Sequence, residues 1–448
     1  MSSEHPIRRE WSATLRLALP IIAGHLGQMA FGLVDSIMIG QLGAVPLAAS
    51  GFANALLSTL LIVGIGLLTG VAVRSAFQRG AGDRHAVGEA LRHGLLLALG
   101  AGLLGAAALH GISAHLERLG QPNEVAMAAR IYVVIVGWSL VPCLVSIALK
   151  HHLEALGRAW MPMQWVLIGV LLNVIINWIL IYGRMGAPAL GLEGAAWATL
   201  ISRVVTLLGM AADYARMASF SQWRPQRWWA SYRRAEFAAL FAVGWPTAAQ
   251  MFFEVGLFNT AALMMGSIGV NPLAAHQIAL SCAATTFMFP LGISQALAVR
   301  ISAARGSDQG HRVRAIGFGG IAAGAAVMLL CALVMITARR PIAAFFIEDA
   351  EVIALASQLL VMAGVFQLFD GTQVTAIGAL RGLGDVRGPT LITCAGYWAL
   401  ALPTAWMLGL HSPMGPHGVW TGLTLGLMSC AALLLLRFHR RSRRAVAP

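Results

Sequence analysis

The sequence has 448 residues, of which 58% are hydrophobic and only 11% are charged. Soluble domains carry about 25% charged residues, so the composition excludes a water-exposed globular domain, and a mean hydropathy of +0.74 agrees. A transmembrane β-barrel would show segments of about 10 residues with alternating hydrophobicity, and the sequence shows no such pattern. The composition therefore predicts an all-α polytopic membrane protein.

Long apolar blocks recur along the chain and predict twelve transmembrane helices. A helix needs about 20 mostly apolar residues to cross about 30 Å of hydrocarbon, and clusters of Gly, Pro, Asn and Asp separate the blocks. In chain order the predicted spans are 14–39, 51–77, 93–114, 128–149, 163–183, 192–214, 237–265, 277–303, 313–337, 355–378, 388–410 and 417–437.

The distribution of basic residues predicts the orientation of these spans. An excess of Lys and Arg in short loops marks the cytoplasmic side. If both termini are cytoplasmic, most of the 31 basic residues fall inside. Only five fall outside, namely Arg118, Arg130, Arg184, Arg339 and Arg340. The sequence therefore predicts a multi-pass membrane protein with cytoplasmic N- and C-termini.

The formal net charge of +13 is concentrated in the gaps between spans and in a basic tail. Such a tail can bind nucleic acid, but beside a span it is more typical of contact with anionic lipid. We therefore expect the lipid bilayer, and no nucleic acid, as a partner. The tail arginines are Arg437, Arg440, Arg441, Arg443 and Arg444.

The two halves of the chain repeat each other at an offset of 226 residues. This offset superposes Pro20, Met38 and Gly40 on Pro246, Met264 and Gly266, and Val73-Arg74 on Val299-Arg300. Because each repeat has an even number of helices, both copies cross the membrane in the same sense. A pseudo-two-fold axis along the membrane normal should therefore relate the two six-helix bundles. We predict an N-terminal lobe at 1–215, a cytoplasmic linker at 216–236 and a C-terminal lobe at 237–448.

Of the eighteen acidic residues, most fall in loops or at the ends of predicted spans, and three do not, namely Asp35, Glu254 and Asp370. A carboxylate at the bilayer centre costs about 2.5–3.5 kcal/mol even on a lenient insertion scale. The cost is tolerable where the group faces a wet cavity, binds a cation or is protonated. Such residues are therefore candidates for coupling to a moving cation. The alternative for Asp35 is an acid at the outer interface in contact with water, and the alternative for Glu254 and Asp370 is a buried, protonated acid that is hydrogen-bonded to a neighbouring helix.

In the first half, Asn173 and Asn177 lie one helical turn apart and share a face. Asn pairs in membrane helices can be interhelical contacts only. Together with Asp35, however, they would form an oxygen-rich pocket. Carboxylate and amide oxygens suit a hard cation, and buried carboxyl groups can also carry protons, so the sequence leaves H⁺ and Na⁺ as alternatives.

In the second half, polar and large apolar side chains accompany Glu254 and Asp370. These two acids are the candidate Na⁺ ligands, and no other metal or cofactor is expected. The neighbouring side chains are candidates for lining a central cleft, where Met and Phe would give an adaptable apolar surface. The candidates are Gln250, Phe253, Asn259, Gln277, Met288, Gln367 and Gln373.

Several other kinds of site are disfavoured. The five cysteines are widely spaced, with no CxxC pair, and the sequence has no GxxxxGK[ST] nucleotide-binding motif. The adjacent His151 and His152 fall in a cytoplasmic gap, where we expect water to surround them. An intramembrane enzyme would need a catalytic pair or a set of metal ligands at membrane depth, and we identify neither. We therefore expect no enzymatic activity.

Three motifs resemble those of the multidrug and toxic compound extrusion (MATE) family. They are GLVDSIMIG at residues 32–40, AAHQIA at 274–279 and ALRGLGD at 379–385. The resemblance extends over nearly the whole chain, and the combination of Glu254 with Asp370 is similar to the NorM-type branch. In that branch the cation site is assigned to acids matching these two. Other branches favour a site matching Asp35, Asn173 and Asn177, but some of them have Asp where this chain has Asn177.

The resemblance implies a cation-coupled antiporter in the bacterial inner membrane. It would export cationic or amphipathic drug-like compounds by alternating access, in exchange for H⁺ or Na⁺, and we expect a monomer. The alternative is a flippase for lipid-linked glycans or lipids with a related two-lobed fold. A flippase would need basic groups in its cleft to hold pyrophosphate, whereas the mid-span charges identified above are acidic.

Overall fold

The computed structural model describes residues 6–444, with side chains from residue 10 to residue 443. The side chain of Arg444 in the predicted basic tail lies outside the described residues. The helices are α1 Pro6–Gly40, α2 Ala44–Gly80, α3 Arg84–Ser113, α4 Asn123–Trp138, α5 Leu140–Ala155, α6 Trp160–Tyr182, α7 Leu192–Arg216, α8 Arg234–Ile268, α9 Val270–Gly306, α10 Gly310–Thr337, α11 Arg339–Phe346, α12 Ala350–Gly382, α13 Arg387–Cys394, α14 Leu402–Leu410 and α15 Pro416–Arg444.

Within the described residues, twelve segments are long and apolar enough to cross a membrane, and the predicted all-α fold with twelve spans is confirmed. Helices α4 and α5 form one such segment, and a π-helical turn at Ala395–Ala401 joins α13 and α14 into another. Many helices are longer than predicted. For example, α2 covers Ala44–Gly80, where the apolar block predicted 51–77. The added residues at the N-terminal end, 44–50, are mostly apolar, whereas the polar Gln78 and Arg79 continue the helix at its C-terminal end, because backbone hydrogen bonding does not depend on hydropathy.

Asp side chains fix where two of the long helices begin. Asp83 accepts a hydrogen bond from the Ala86 backbone N–H (2.9 Å) at the start of α3. Asp349 accepts hydrogen bonds from the Glu351 and Val352 N–H groups (2.9 and 3.0 Å) at the start of α12. Each cap satisfies backbone donors that have no partner within the helix, so these turn residues set the helix boundaries.

The chain separates into two compact units, which are not simple sequence halves. The first unit is Ala23–Ala248, and the second unit is Met1–Ile22 together with Ala249–Pro448. Helices α1 and α8 are therefore each divided between the units. Both contain an internal proline, Pro20 and Pro246, two residues before the division. Proline removes one backbone hydrogen bond within a helix, so it gives each helix a point of local weakness there.

The first unit includes the segment predicted as a linker. The guanidinium of Arg92 in α3 donates hydrogen bonds to the backbone oxygens of Ala230 (2.6 Å) and Ser231 (3.1 Å). Arg92 also pairs with Glu89 (2.7 Å). These contacts attach the segment 216–236 to the helices of the first unit.

In the second unit, α12 packs against α9, α10 and α15. Ser294 in α9 donates a hydrogen bond to the Val374 backbone oxygen in α12 (2.7 Å). A side chain at Gly378 would collide with the Ser294 backbone. Small residues therefore let α9 and α12 approach closely, as is typical of membrane helix pairs.

An ion pair recurs at equivalent positions of the two units. In the first unit, Arg74 in α2 pairs with Glu236 at the start of α8 (2.9 Å). In the second unit, Arg300 in α9 pairs with Glu10 near the start of α1, and Arg312 also pairs with Glu10 (2.7 Å). The repeat offset that superposes Arg74 on Arg300 also superposes Glu10 on Glu236. Each unit thus holds the first long helix of the opposite repeat by an Arg–Glu pair.

We expect Glu10→Gln to lower the thermal stability more than Glu236→Gln. Glu10 serves two arginines, and the side chain of Arg300 is 13% exposed, whereas that of Arg74 is 30% exposed. Hydrogen bonds to charged groups contribute about 1.5–3 kcal/mol when buried, and exposed pairs contribute about 1 kcal/mol or less. Melting temperatures of the purified variants would measure the difference. The exposed Glu117→Gln is the control, and a Glu10→Gln variant that melts like the control would contradict the prediction.

Candidate functional site

The second unit brings two membrane carboxylates together. Glu254 lies on α8 and is partly buried, and Asp370 lies on α12 and is 5% exposed. The two groups are close enough for their charges to interact. Within the described part of the chain, neither forms an ion pair at 4.0 Å or less. Because two like charges in a low-dielectric environment repel strongly, a proton or cation that binds between them would be stabilised.

Tyr397 and Gln373 form the polar environment of this acid pair. The Gln373 side-chain nitrogen donates a hydrogen bond to the Tyr397 hydroxyl oxygen, and the charges of Glu254 and Asp370 both act on Tyr397. The Gln373 side-chain oxygen is buried and has no hydrogen-bond partner. We did not identify Tyr397 from the sequence. The sequence feature that could have indicated it is the position of a tyrosine within an apolar block, since the chain has only five tyrosines.

Arg381 is a second residue missed by sequence reasoning. The predicted span ends at residue 378, before the motif at 379–385, but α12 continues to Gly382 and buries Arg381. The charge of Arg381 interacts with that of Glu254. With both acids ionised, these three groups carry one net negative charge, which favours a single bound cation.

The other second-half candidates are distributed over different environments. Gln250 is buried, and Phe253 is half-buried with its ring 6.4 Å from that of Trp398. Gln367 accepts a hydrogen bond from the Thr286 hydroxyl (2.7 Å). Met288 is half-buried, whereas Asn259 and Gln277 are exposed.

In the first unit, the structure brings Asp35, Asn173 and Asn177 together. The Asn177 side-chain nitrogen donates hydrogen bonds to Asp35 (2.8 Å) and to the Asn173 side-chain oxygen (3.2 Å). Tyr132 in α4, another residue not identified from the sequence, donates a longer hydrogen bond to Asp35 (3.4 Å). Asp35 is 4% exposed, so this carboxylate is held by neutral donors within the unit.

The expectation that the mid-span charges are all acidic is wrong. Arg203 lies at the middle of α7 and donates a hydrogen bond to the Ser139 hydroxyl (2.7 Å). Its charge also acts on Asp35. Because a basic group is present at mid-span, the charges of the spans do not count against a flippase.

The expectation that water surrounds His151 and His152 is also wrong, since both are buried. His152 hydrogen-bonds with the hydroxyls of Ser75 (3.1 Å) and Tyr214 (3.3 Å), and His151 lies 3.3 Å from the Glu154 carboxylate. The sequence placed them beyond the end of an apolar block, but α5 extends to Ala155 and carries them into the unit.

Among residues whose side chains the structure describes, no group of three or more His, Cys, Asp or Glu could hold a metal ion. The acid pair differs from such a cluster, since it offers two carboxylates with amide and phenol oxygens. Oxygen ligands of this kind suit a hard monovalent cation or a proton rather than a transition metal.

Comparisons with known proteins define the family. The MatE family model matches residues 20–179 and again residues 246–407. A probable multidrug resistance protein NorM of Mesorhizobium japonicum is 37% identical, and the match covers 98% of this chain and 96% of that protein. The multidrug resistance protein PmpM of Pseudomonas aeruginosa is 34% identical over 98% of this chain and 93% of its own.

The fold agrees with solved transporter structures. A variant of the Vibrio cholerae MATE transporter VcmN superposes with a TM-score of 0.90 at 23% identity, covering 98% of this chain and 99% of that one. The chain belongs to the MatE family. It is therefore a membrane transporter and not an enzyme, and the resemblance to the NorM-type branch is confirmed.

We expect Tyr397→Phe to lower the melting temperature. The substitution removes the acceptor of the Gln373 amide, whose oxygen already has no partner. A buried polar group left without a partner costs about 1–3 kcal/mol. Tyr232→Phe is the matched control, because Tyr232 is exposed and contributes through its ring to contacts with Arg92 and Phe237. Equal melting of the two variants in a thermal-shift assay would refute the prediction.

Proposed function

We propose that this chain is a cation-coupled multidrug antiporter that exports cationic or amphipathic compounds. The observation that carries the proposal is the Glu254–Asp370 pair, which is held within the second unit without a close ion-pair partner in the described chain. Such a pair is costly in a membrane protein unless a positive species visits it. The names of NorM and PmpM, both multidrug resistance proteins, support drugs as the substrates.

The coupling follows from electrostatics. When both carboxylates are ionised, their repulsion and the single positive charge of Arg381 leave a net attraction for one cation. A proton or Na⁺ satisfies this attraction, and so does the positive group of a drug. The two compete, so that binding of one releases the other. In alternating access, this exchange would take place while the site opens to one side of the membrane at a time.

Either H⁺ or Na⁺ would satisfy the charge of this site. A proton needs only one of the two carboxylates, and it would remove the repulsion between them. Na⁺ would use Glu254 and Asp370 together with neutral oxygens such as that of Gln373. We keep H⁺ and Na⁺ as alternatives for this site, and the Asp35–Asn173–Asn177 group as a second candidate site in the first unit.

The cellular setting belongs to the same proposal. We place the protein in the bacterial inner membrane with both termini in the cytoplasm, because the basic residues accumulate on that side of the predicted spans. We also propose that the protein consists of two six-helix lobes and that it is a monomer.

A flippase for lipid-linked glycans or lipids remains a second candidate, because Arg203 provides a basic group at mid-span. A fluorescent lipid-flipping assay in proteoliposomes tests it directly. We expect no acceleration of flipping above protein-free vesicles.

We expect Glu254→Gln and Asp370→Asn each to reduce drug efflux at least tenfold. Each substitution removes one of the two negative charges but keeps a hydrogen-bonding side chain of similar size. Efflux of a cationic dye from cells, normalised to the amount of membrane-inserted protein, measures the effect. Glu348→Gln, at an exposed position, is the control. Normal efflux by both acid variants would remove the proposed mechanism.

The coupling ion can be identified by imposing a pH gradient and a Na⁺ gradient separately on proteoliposomes. We expect one of them to drive dye transport in the wild-type protein and neither to do so in Glu254→Gln. Transport driven by pH alone assigns H⁺, and transport driven by Na⁺ at constant pH assigns Na⁺. If neither gradient drives transport, cation-coupled antiport is wrong.

A further inference from the structure

Lys150 is the only lysine in the sequence, and the other 30 of the 31 basic residues are arginines. It lies on α5 within the first unit and is only 6% exposed. A buried ammonium group is costly without compensation. Its position inside a membrane protein therefore needs an explanation that the acid pair in the second unit does not supply.

Lys150 lines a cavity of about 210 Å³ that lies entirely within the first unit. Helices α1, α2, α5, α6 and α7 form its walls, which are mostly apolar. No acidic side chain belongs to the lining, whereas two cationic side chains do. The polar lining residues are Gln28, Ser146, Lys150, Ser202, Arg203 and Thr206.

The nearby acids neutralise these two cations only in part. The Lys150 ammonium lies 3.8 Å from Glu154, which exceeds the roughly 2.7–2.9 Å of a charge-assisted hydrogen bond. Glu154 also interacts with His151 at 3.3 Å. In the region that the structure describes, the ammonium has this ion pair but no hydrogen bond, so its N–H groups are available to a ligand in the cavity.

Arg203 is the second cation of the cavity. Its guanidinium uses one donor on Ser139 and retains others, since arginine has five N–H groups in a planar fork. Its charge interacts with Asp35, but Asp35 does not line the cavity. The cavity therefore presents two positive groups and the hydroxyls of Ser146, Ser202 and Thr206 on an otherwise apolar surface.

We propose that this cavity is a subsite for the anionic group of an amphipathic compound, such as an aromatic carboxylate. Lys150 and Arg203 bind the carboxylate, and the apolar walls contact the aromatic body. The inference rests on the proposed function, because it extends the substrate class of a drug exporter from cations to compounds that carry a negative group. The alternative hypothesis is that Lys150 only stabilises Glu154. In that case the charge of Lys150 would not affect which ligands bind in the cavity.

The experiment compares binding of 2-naphthoate and 2-naphthamide to the full-length protein in phosphatidylcholine nanodiscs by isothermal titration calorimetry. The two compounds have the same aromatic body and differ in charge. Empty nanodiscs correct for partition into lipid. We expect the wild-type protein to bind the carboxylate at least tenfold more tightly than the amide.

Variants assign this preference to the cavity. Lys150→Met and Arg203→Gln should each reduce the preference at least fivefold, whereas Lys150→Arg should retain it. The control is Arg130→Gln, at an exposed position outside the cavity. If Lys150→Met does not fold, Arg203→Gln and Lys150→Arg still decide the question.

Equal affinity of the wild-type protein for both compounds would overturn the inference. So would a carboxylate preference that persists unchanged in Lys150→Met and in Arg203→Gln. Neither result would affect export of cationic dyes or its loss in Glu254→Gln, so failure of this subsite and failure of the proposed function are distinguishable.

Discussion

The electrostatic cost of a charged group in a low-dielectric interior constrains the whole molecule. In each unit, the buried charges lie beside partners that offset this cost. Arg74 and Arg300 have glutamate partners, and Asp35 accepts hydrogen bonds from Asn177 and Tyr132. Charges that lack a close partner stand out against this pattern. The function of a membrane protein is concentrated at such groups, because a chain that did not need them would replace them with apolar residues.

The duplicated architecture adds a second constraint, since one sequence pattern must serve two units. Pro20 and Pro246 occupy equivalent positions, as do the ion pairs of Glu10 and Glu236. Helices α1 and α8 each contribute to both units. A rearrangement in either unit would therefore act on a helix that the other unit also uses, and the interrupted hydrogen bonding near the prolines is where such a helix can bend most easily.

Much of this organisation was predictable from the sequence, because the hydropathy of each segment depends only on the amino acids in that segment. The twelve spans follow from apolar blocks, and Asp35, Glu254 and Asp370 stand out because charge is rare within them. The partners of these acids were less accessible. Tyr132 donates a hydrogen bond to Asp35 from another helix, and Tyr397 hydrogen-bonds with Gln373 beside the acid pair, contacts that no spacing along one helix reveals. Lys150 and Arg381 lie just beyond apolar blocks, and the helices that carry them continue beyond the predicted ends. Arg203, by contrast, lies at the middle of a predicted span and is evident from the sequence alone.

The two units have diverged in charge although they share an ancestral pattern. In the first unit, Arg203 accompanies Asp35 and Lys150 accompanies Glu154, so the formal charges of these four groups sum to zero. In the second unit, the charge of Arg381 acts on Glu254, whereas Asp370 interacts with the like charge of Glu254. A balanced unit gains little from capturing one cation, whereas a unit with one excess negative charge gains the full attraction. We therefore propose the second unit as the preferred site of the driving cation, which would leave the first unit to contribute to substrate choice.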